Sequence, residues 1–193
     1  MLMFVCYFVL SSLLMSTTAG EYRMHQFTDE HMAALYEKFI LNYYARHHSE
    51  LHPAASMVKF DIRETISEEA ESFLPRMKSD ITLTKEGKTV IIDAKYYKQI
   101  WQRYDRDDPD TSKTIRNGHL YQIMSYVHNT DKNHEGNVAG VLLYAQTGRH
   151  QYNLDYPNIN GNHYMIKTLD LNTDFNQLSE QLEAIVKDFF NMR

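Results

Sequence analysis

Residues 79–95 constrain the fold most. Ser79-Asp80-Ile81-Thr82-Leu83-Thr84 alternates polar and apolar, and Thr89-Val90-Ile91-Ile92-Asp93-Ala94-Lys95 is rich in β-branched residues. Both patterns predict strands, and Lys85-Glu86-Gly87-Lys88 between them predicts a four-residue turn, so the segment reads as an antiparallel hairpin. Asp93 and Lys95 are two apart on a strand and project to the same face. The hairpin also brings Asp80 and Asp93 to one end of the ladder. Two carboxylates meeting at a point repel unless a divalent cation neutralises them. Oxygen ligands with open positions suit Mg2+, with Mn2+ as a substitute. A neighbouring ammonium can position a water or stabilise charge on a phosphate. A bare Asp-x-Lys is also a common structural ion pair on a solvated strand end.

The rest of the chain supplies a mixed architecture. Thr28-Asp29-Glu30 can cap a helix carrying Met32, Leu35, Tyr36, Phe39, Ile40 and Tyr43 at helical spacing, ending near His47-His48 before Pro53. Residues 58–66 alternate weakly and predict a strand, and residues 68–73 are acidic and predict a loop or short turn. Residues 99–115 are polar and predict a long loop. A helix opening at Asn117 or Gly118 carries Leu120, Ile123, Met124 and Val127. Residues 138–145 and 164–169 read as strands, and residues 175–190 as an amphipathic helix with Leu178, Leu182, Ile185, Val186 and Phe189. The expected fold is α/β, a mixed sheet flanked by helices.

Composition narrows the function. The 193 residues suffice for one ordinary domain, and 43% hydrophobic with 23% charged residues excludes global disorder. The single cysteine, Cys6, excludes a disulfide framework and multi-cysteine metal sites. A net charge of −5 argues against coating nucleic acid by bulk charge, yet leaves room for a local basic groove. Residues 1–15 are almost wholly apolar, with no Lys or Arg before Arg23. That lacks the basic start of a signal peptide and is short for a bilayer span, so residues 1–26 read as a buried apolar helix and connector. An exported protein is the alternative there. A cytoplasmic location without membrane attachment is the expectation.

Other constellations carry less. His48 and His52 are four apart, but the order is not His-Glu-x-x-His and Pro53 interrupts, so His47, His48, Glu50 and His52 read as a solvated helix end. Residues 105–110 resemble a calcium loop only in composition. Lys98, Arg103, Arg106, Lys113 and Arg116 follow the Asp-x-Lys strand, interleaved with Tyr96, Tyr97, Trp101 and Tyr104. Basic residues among aromatics suit a DNA backbone, with Lys98, Arg103 and Arg116 as candidate contacts; an ordinary solvated loop fits as well.

Asp80, a turn, an apolar strand and then Asp93-Ala94-Lys95 resembles the PD-(D/E)xK nuclease superfamily, with Ser79 where that name has proline. Leu74-Pro75-Arg76-Met77-Lys78-Ser79-Asp80-Ile81 with Val90-Ile91-Ile92-Asp93-Ala94-Lys95-Tyr96-Tyr97-Lys98 is similar to the nuclease region of McrC-type subunits of 5-methylcytosine-specific restriction systems. Leu120-Tyr121-Gln122-Ile123-Met124-Ser125-Tyr126 resembles their Gln-x-x-x-Tyr helix, and Leu35-Tyr36-Glu37-Lys38-Phe39 their leading helix. The resemblance implies a restriction-endonuclease-like nuclease domain over residues 27–193 that cuts DNA with Mg2+. It implies Asp80 and Asp93 as metal ligands, with the Ala94 carbonyl and Glu37 as further ligands. Lys95 would position the attacking water, and Gln122 and Tyr126 would shape the pocket. It also implies a GTP-driven McrB-like motor subunit as partner. The family's motor-docking region precedes the leading helix, where this sequence has about thirty residues. No Gly-rich phosphate loop occurs, so this chain is not the motor. The rival expectation is a non-catalytic interaction subunit that keeps the fold.

Overall fold

The computed structural model describes residues 29–97, 100–103, 113–146 and 151–190. The expected apolar helix of residues 1–26, Cys6, Lys98, Tyr104, Arg106 and the acidic run at 105–110 lie outside the described residues, as does the side chain of Arg103.

Helix α1 spans Asp29–His47, starting on two acidic residues that complement the helix dipole. The hairpin follows the sequence closely: β3, Ile81–Lys85, pairs antiparallel with β4, Lys88–Lys95, and Ile81 faces Ile92. The turn is tighter than expected, with only Glu86 and Gly87 outside the strands. Their φ angles of 50° and 77° are the left-handed values of a two-residue hairpin turn, which Gly87 adopts without penalty. Strand β4 then pairs in parallel with β7, Val138–Ala145, and β7 with β9, Asn162–Leu169. Strand β8, Asn153–Ile159, closes the far edge antiparallel to β9, giving the order β3-β4-β7-β9-β8. This is a mixed sheet flanked by helices, of the restriction-endonuclease-like kind.

All eight residues of β7 are buried, because helices cover both faces of the sheet. One face packs Tyr36, Ile40, Tyr43 and Tyr44 of α1, and Leu178, Leu182, Ile185 and Val186 of α4, Phe175–Phe190, on Val90, Ile92, Val141 and Leu143. The other packs Ile123, Tyr126 and Val127 of α3, Asn117–Thr130, on Ile91, Leu142 and Ile166. Gly140 of β7 lets α3 approach. A Cβ there would lie 2.8 Å from Ile123 Cγ1 and 2.9 Å from Val127 Cγ2 and Tyr164 Cδ1.

Four expectations need correction. Of residues 58–66 only Val58 is in a strand, β1, Met57–Val58, paired with β2, Met77–Lys78; 59–66 form none. The acidic segment is a one-turn helix, α2, Glu68–Ser72, because Ser67 caps it by accepting from Ala70 N–H and its glutamates meet the positive helix end. The long loop contains a ribbon, β5, Trp101–Arg103, with β6, Lys113–Ile115. His48 is not at a solvated helix end. It is buried, its Nδ1 3.0 Å from Glu50 Oε1 and its Nε2 2.6 Å from Glu183 Oε1 of α4. Tyr43 donates to the same Glu183 oxygen at 2.7 Å, so α1 and α4 share one polar staple.

Candidate active site

The chemistry collects where β3 begins and β4 ends. Ile81 pairs with Ile92, which makes Asp80 and Asp93 the next residues outward on the two strands. Asp80 is fixed by the backbone: its Oδ2 accepts from Ala94 N–H at 2.8 Å. Burial raises the Asp80 pKa, while the Ala94 N–H and the charges of Lys95 and Lys78 pull against that rise. Ser79 anchors the strand start. Buried, it donates its N–H to Ser56 O at 2.9 Å, and its hydroxyl lies 2.7 Å from Thr82 Oγ1. A proline here would lack that N–H.

Asp93 is fully buried. Lys95 Nζ approaches its Oδ2 to 2.8 Å as an ion pair, yet neither Asp93 oxygen has an aligned hydrogen-bond partner. A buried carboxylate so placed is costly, and its pKa is pushed up to about 6, by burial first and then by Asp80, with Lys95 pulling it back. Lys95 also donates to Gln122 Oε1 at 3.1 Å, and Gln122 Nε2 donates to Tyr126 OH at 2.8 Å. Gln122 and Tyr126 are one helical turn apart on α3, which sets both on the face toward the sheet. An unbroken polar row therefore runs Asp93, Lys95, Gln122, Tyr126.

Glu37 enters from α1. Burial raises its pKa, Asp80 and Asp93 raise it further, and Lys95 opposes them, so it shares the field of both aspartates. Among the described residues no three His, Cys, Asp or Glu side chains form a ready-made metal cage. Asp80, Asp93, Glu37 and the Ala94 carbonyl are the oxygen donors that could hold a hard divalent ion keeping several waters. Asp93 Oδ1, buried and without a partner, fits such an ion.

Of the remaining candidates, Arg116 immediately precedes α3, its guanidinium 5.7 Å from the Tyr97 ring centroid. Sequence reasoning passed over His119 and Tyr144. His119 Nδ1 lies 2.8 Å from Tyr144 OH, and its ring meets Tyr97 edge-on at 4.9 Å. Tyr144 pairs with Lys95 in the β4–β7 register. The signal for His119 was its spacing: it lies three residues before Gln122 and seven before Tyr126, on one helical face.

Among the described residues no helix is long and apolar enough to cross a membrane. The family described as "McrBC 5-methylcytosine restriction system component" matches residues 2–145. The chain is also 28% identical over 190 residues to the Type IV methyl-directed restriction enzyme EcoKMcrBC of Escherichia coli (strain K12). That alignment covers 96% of this chain and 51% of the relative, so the chain spans about half the length of the curated protein it matches.

Proposed function

Since the chain belongs to the McrBC 5-methylcytosine restriction system component family, on McrC-type motifs, we propose that it is a DNA endonuclease subunit of such a system. Residues 27–193 would be its nuclease domain, hydrolysing phosphodiesters with Mg2+, or with Mn2+ in its place. One observation carries the reading. Asp93 is a fully buried carboxylate with one ion pair to Lys95 on Oδ2 and nothing on Oδ1, set beside a second carboxylate.

Asp80 and Asp93 hold the divalent ion, with the Ala94 carbonyl and Glu37 as further oxygen donors. The ion supplies charge neutralisation for the phosphate and makes a water more acidic. The Ala94 N–H fixes one Asp80 oxygen and so sets the angle of that carboxylate. Lys95, held between Asp93 and Gln122, orients the attacking water and stabilises charge developing on the phosphate. Tyr126 accepts from the Gln122 amide and thereby fixes the amide oxygen toward Lys95. Arg116 contacts the DNA backbone, with Lys98 and Arg103 as further contacts. The partner is a McrB-like subunit, a reading supported by the family's and the relative's description as McrBC, and its GTP-driven motor action is what the family resemblance implies.

Cleavage of methylated and unmethylated plasmid, with and without Mg2+ and with the motor subunit present, tests this. Mg2+-dependent cutting by the parent and none by Asp93→Ala is the expected outcome. A parent that binds its partner normally but never cuts would establish the rival, an interaction subunit that keeps the fold.

A further inference from the structure

We propose that His119 is a substrate-binding residue of this site, donating a hydrogen bond from its ring Nε2–H to a DNA backbone phosphate beside the scissile one. The inference rests on the nuclease reading above and names a contact within it.

The argument begins with Tyr144. Its side chain is fully buried and lies on β7 beside Lys95, so its hydroxyl needs an acceptor. Burial and the Asp93 charge raise its pKa, so it keeps its proton. The partner it has is His119 Nδ1, at 2.8 Å. The phenol donates, Nδ1 accepts, and the ring proton of a neutral His119 therefore resides on Nε2. The imidazole is neutral, because burial and then the charges of Lys95 and Arg116 depress its pKa to about 4. The opposite tautomer would leave the buried phenol proton without an acceptor.

Nε2 itself has no hydrogen-bond partner among the described residues, so an N–H donor is offered in a field made positive by Lys95 and Arg116. An anion with acceptor oxygens complements that arrangement, and the non-bridging oxygens of a phosphodiester are such acceptors. The surroundings extend the match. Tyr97, 45% exposed, sits edge-on to His119 and carries the Arg116 guanidinium near its ring. An exposed aromatic with a cation beside it suits the sugar and base next to that phosphate. Arg116, Tyr97 and His119 thus form a second row leading from the buried Asp93–Lys95 pair outward.

The test uses the full chain and a short fluorescein-labelled DNA duplex, with Ca2+ in place of Mg2+ so that binding is read without cutting. His119→Phe keeps a ring against Tyr97 but has no donor, and about tenfold or more weaker binding is expected, as for a lost hydrogen bond to a charged group. His119→Gln keeps an N–H and should recover most of that loss. Because the lost donor is neutral, the slope of log affinity against log salt stays at the parent value in His119→Phe, whereas Arg116→Ala lowers it by about one. In the cleavage assay His119→Phe raises KM more than it lowers kcat. Parent-like affinity in His119→Phe overturns the inference, as does a His119→Gln variant that folds normally yet binds as poorly as the Phe variant. A parent that binds duplex but never cuts with the motor subunit and Mg2+ removes the nuclease reading alone, and the affinities still decide the phosphate contact. A parent that binds no DNA overturns both.

Discussion

Two ionisable clusters of this fold, one half-buried and one buried, are built from similar parts and finished differently. In the staple, both His48 nitrogens meet carboxylate oxygens, and Tyr43 satisfies Glu183 a second time. In the site, Asp93 is more deeply buried and has one ion pair with no aligned hydrogen bond on either oxygen. A fully satisfied network joins α1 to α4 and has no capacity left for a ligand. An incompletely satisfied one is held at a cost by the sheet around it, a cost that the proposed divalent ion would offset.

The largest effect that separates the two is catalytic. Lys95→Ala should lower plasmid cleavage by at least about a hundredfold, with Mg2+ affinity by titration calorimetry near the parent value, because in the proposed mechanism the ammonium would stabilise reacting charge and would not hold the ion. Glu183→Ala should leave cleavage per folded molecule unchanged and cost about 1–3 kcal/mol in urea unfolding, since it removes the acceptor that His48 Nε2 and Tyr43 share, leaving His48 only Glu50 and Tyr43 only Ser179. An unchanged unfolding midpoint for Glu183→Ala would erase the distinction between the two clusters.

The pH dependence sharpens the contrast at a similar or smaller scale. Burial alone would lower the His48 pKa, but its bonds to Glu183 and Glu50 raise it above 6.5. Burial would raise that of Glu183, but its bonds to Tyr43 and His48 lower it below 4.5. The His48 contribution is present below pH 6.5 and fades as pH rises through the folded value. The Glu183 contribution is present above pH 4.5 and fades as pH falls, so the staple is strongest between those limits. Asp93 behaves oppositely in the same range. Its raised pKa favours the protonated fold, so metal-free stability falls as pH rises from 3.8 to about 6. Asp93→Asn should therefore be more stable than the metal-free parent above pH 6, by about 2 kcal/mol, and the gap should close below pH 4. Thermal unfolding across pH with EDTA checks the sign, and added Mg2+ should stabilise the parent and not the variant.

What could be read from the sequence follows the range of the forces involved. Strands β4 and β7 were legible because burial on both faces writes a continuous apolar run. Asp80, Asp93 and Lys95 were legible as a group because a hairpin is local. Strand β8 was missed: it is an edge strand with alternating exposure, broken by Pro157 and a register shift after Tyr156, where the ladder tolerates both. The burial of His48 was missed because its partner Glu183 is 135 residues away. His119 carried a local signal in its spacing to Gln122 and Tyr126, but its partner Tyr144 comes from β7, and only the register of the parallel pair brings Tyr144 beside Lys95.

The bare Cα of Gly140 also has a consequence for how this protein can evolve. Because α3 rests directly on that backbone, the depth at which Gln122 meets Lys95 is set by an absent methyl group. An alanine at 140 meets Ile123, Val127 and Tyr164 at once, and none of those contacts is the free end of a long flexible chain. Mutational paths through this position must therefore begin elsewhere, with room made first at 123, 127 and 164. Lineages that have made that room can explore position 140, while in the present sequence any side chain there forces Ile123, Val127 and Tyr164 to shift.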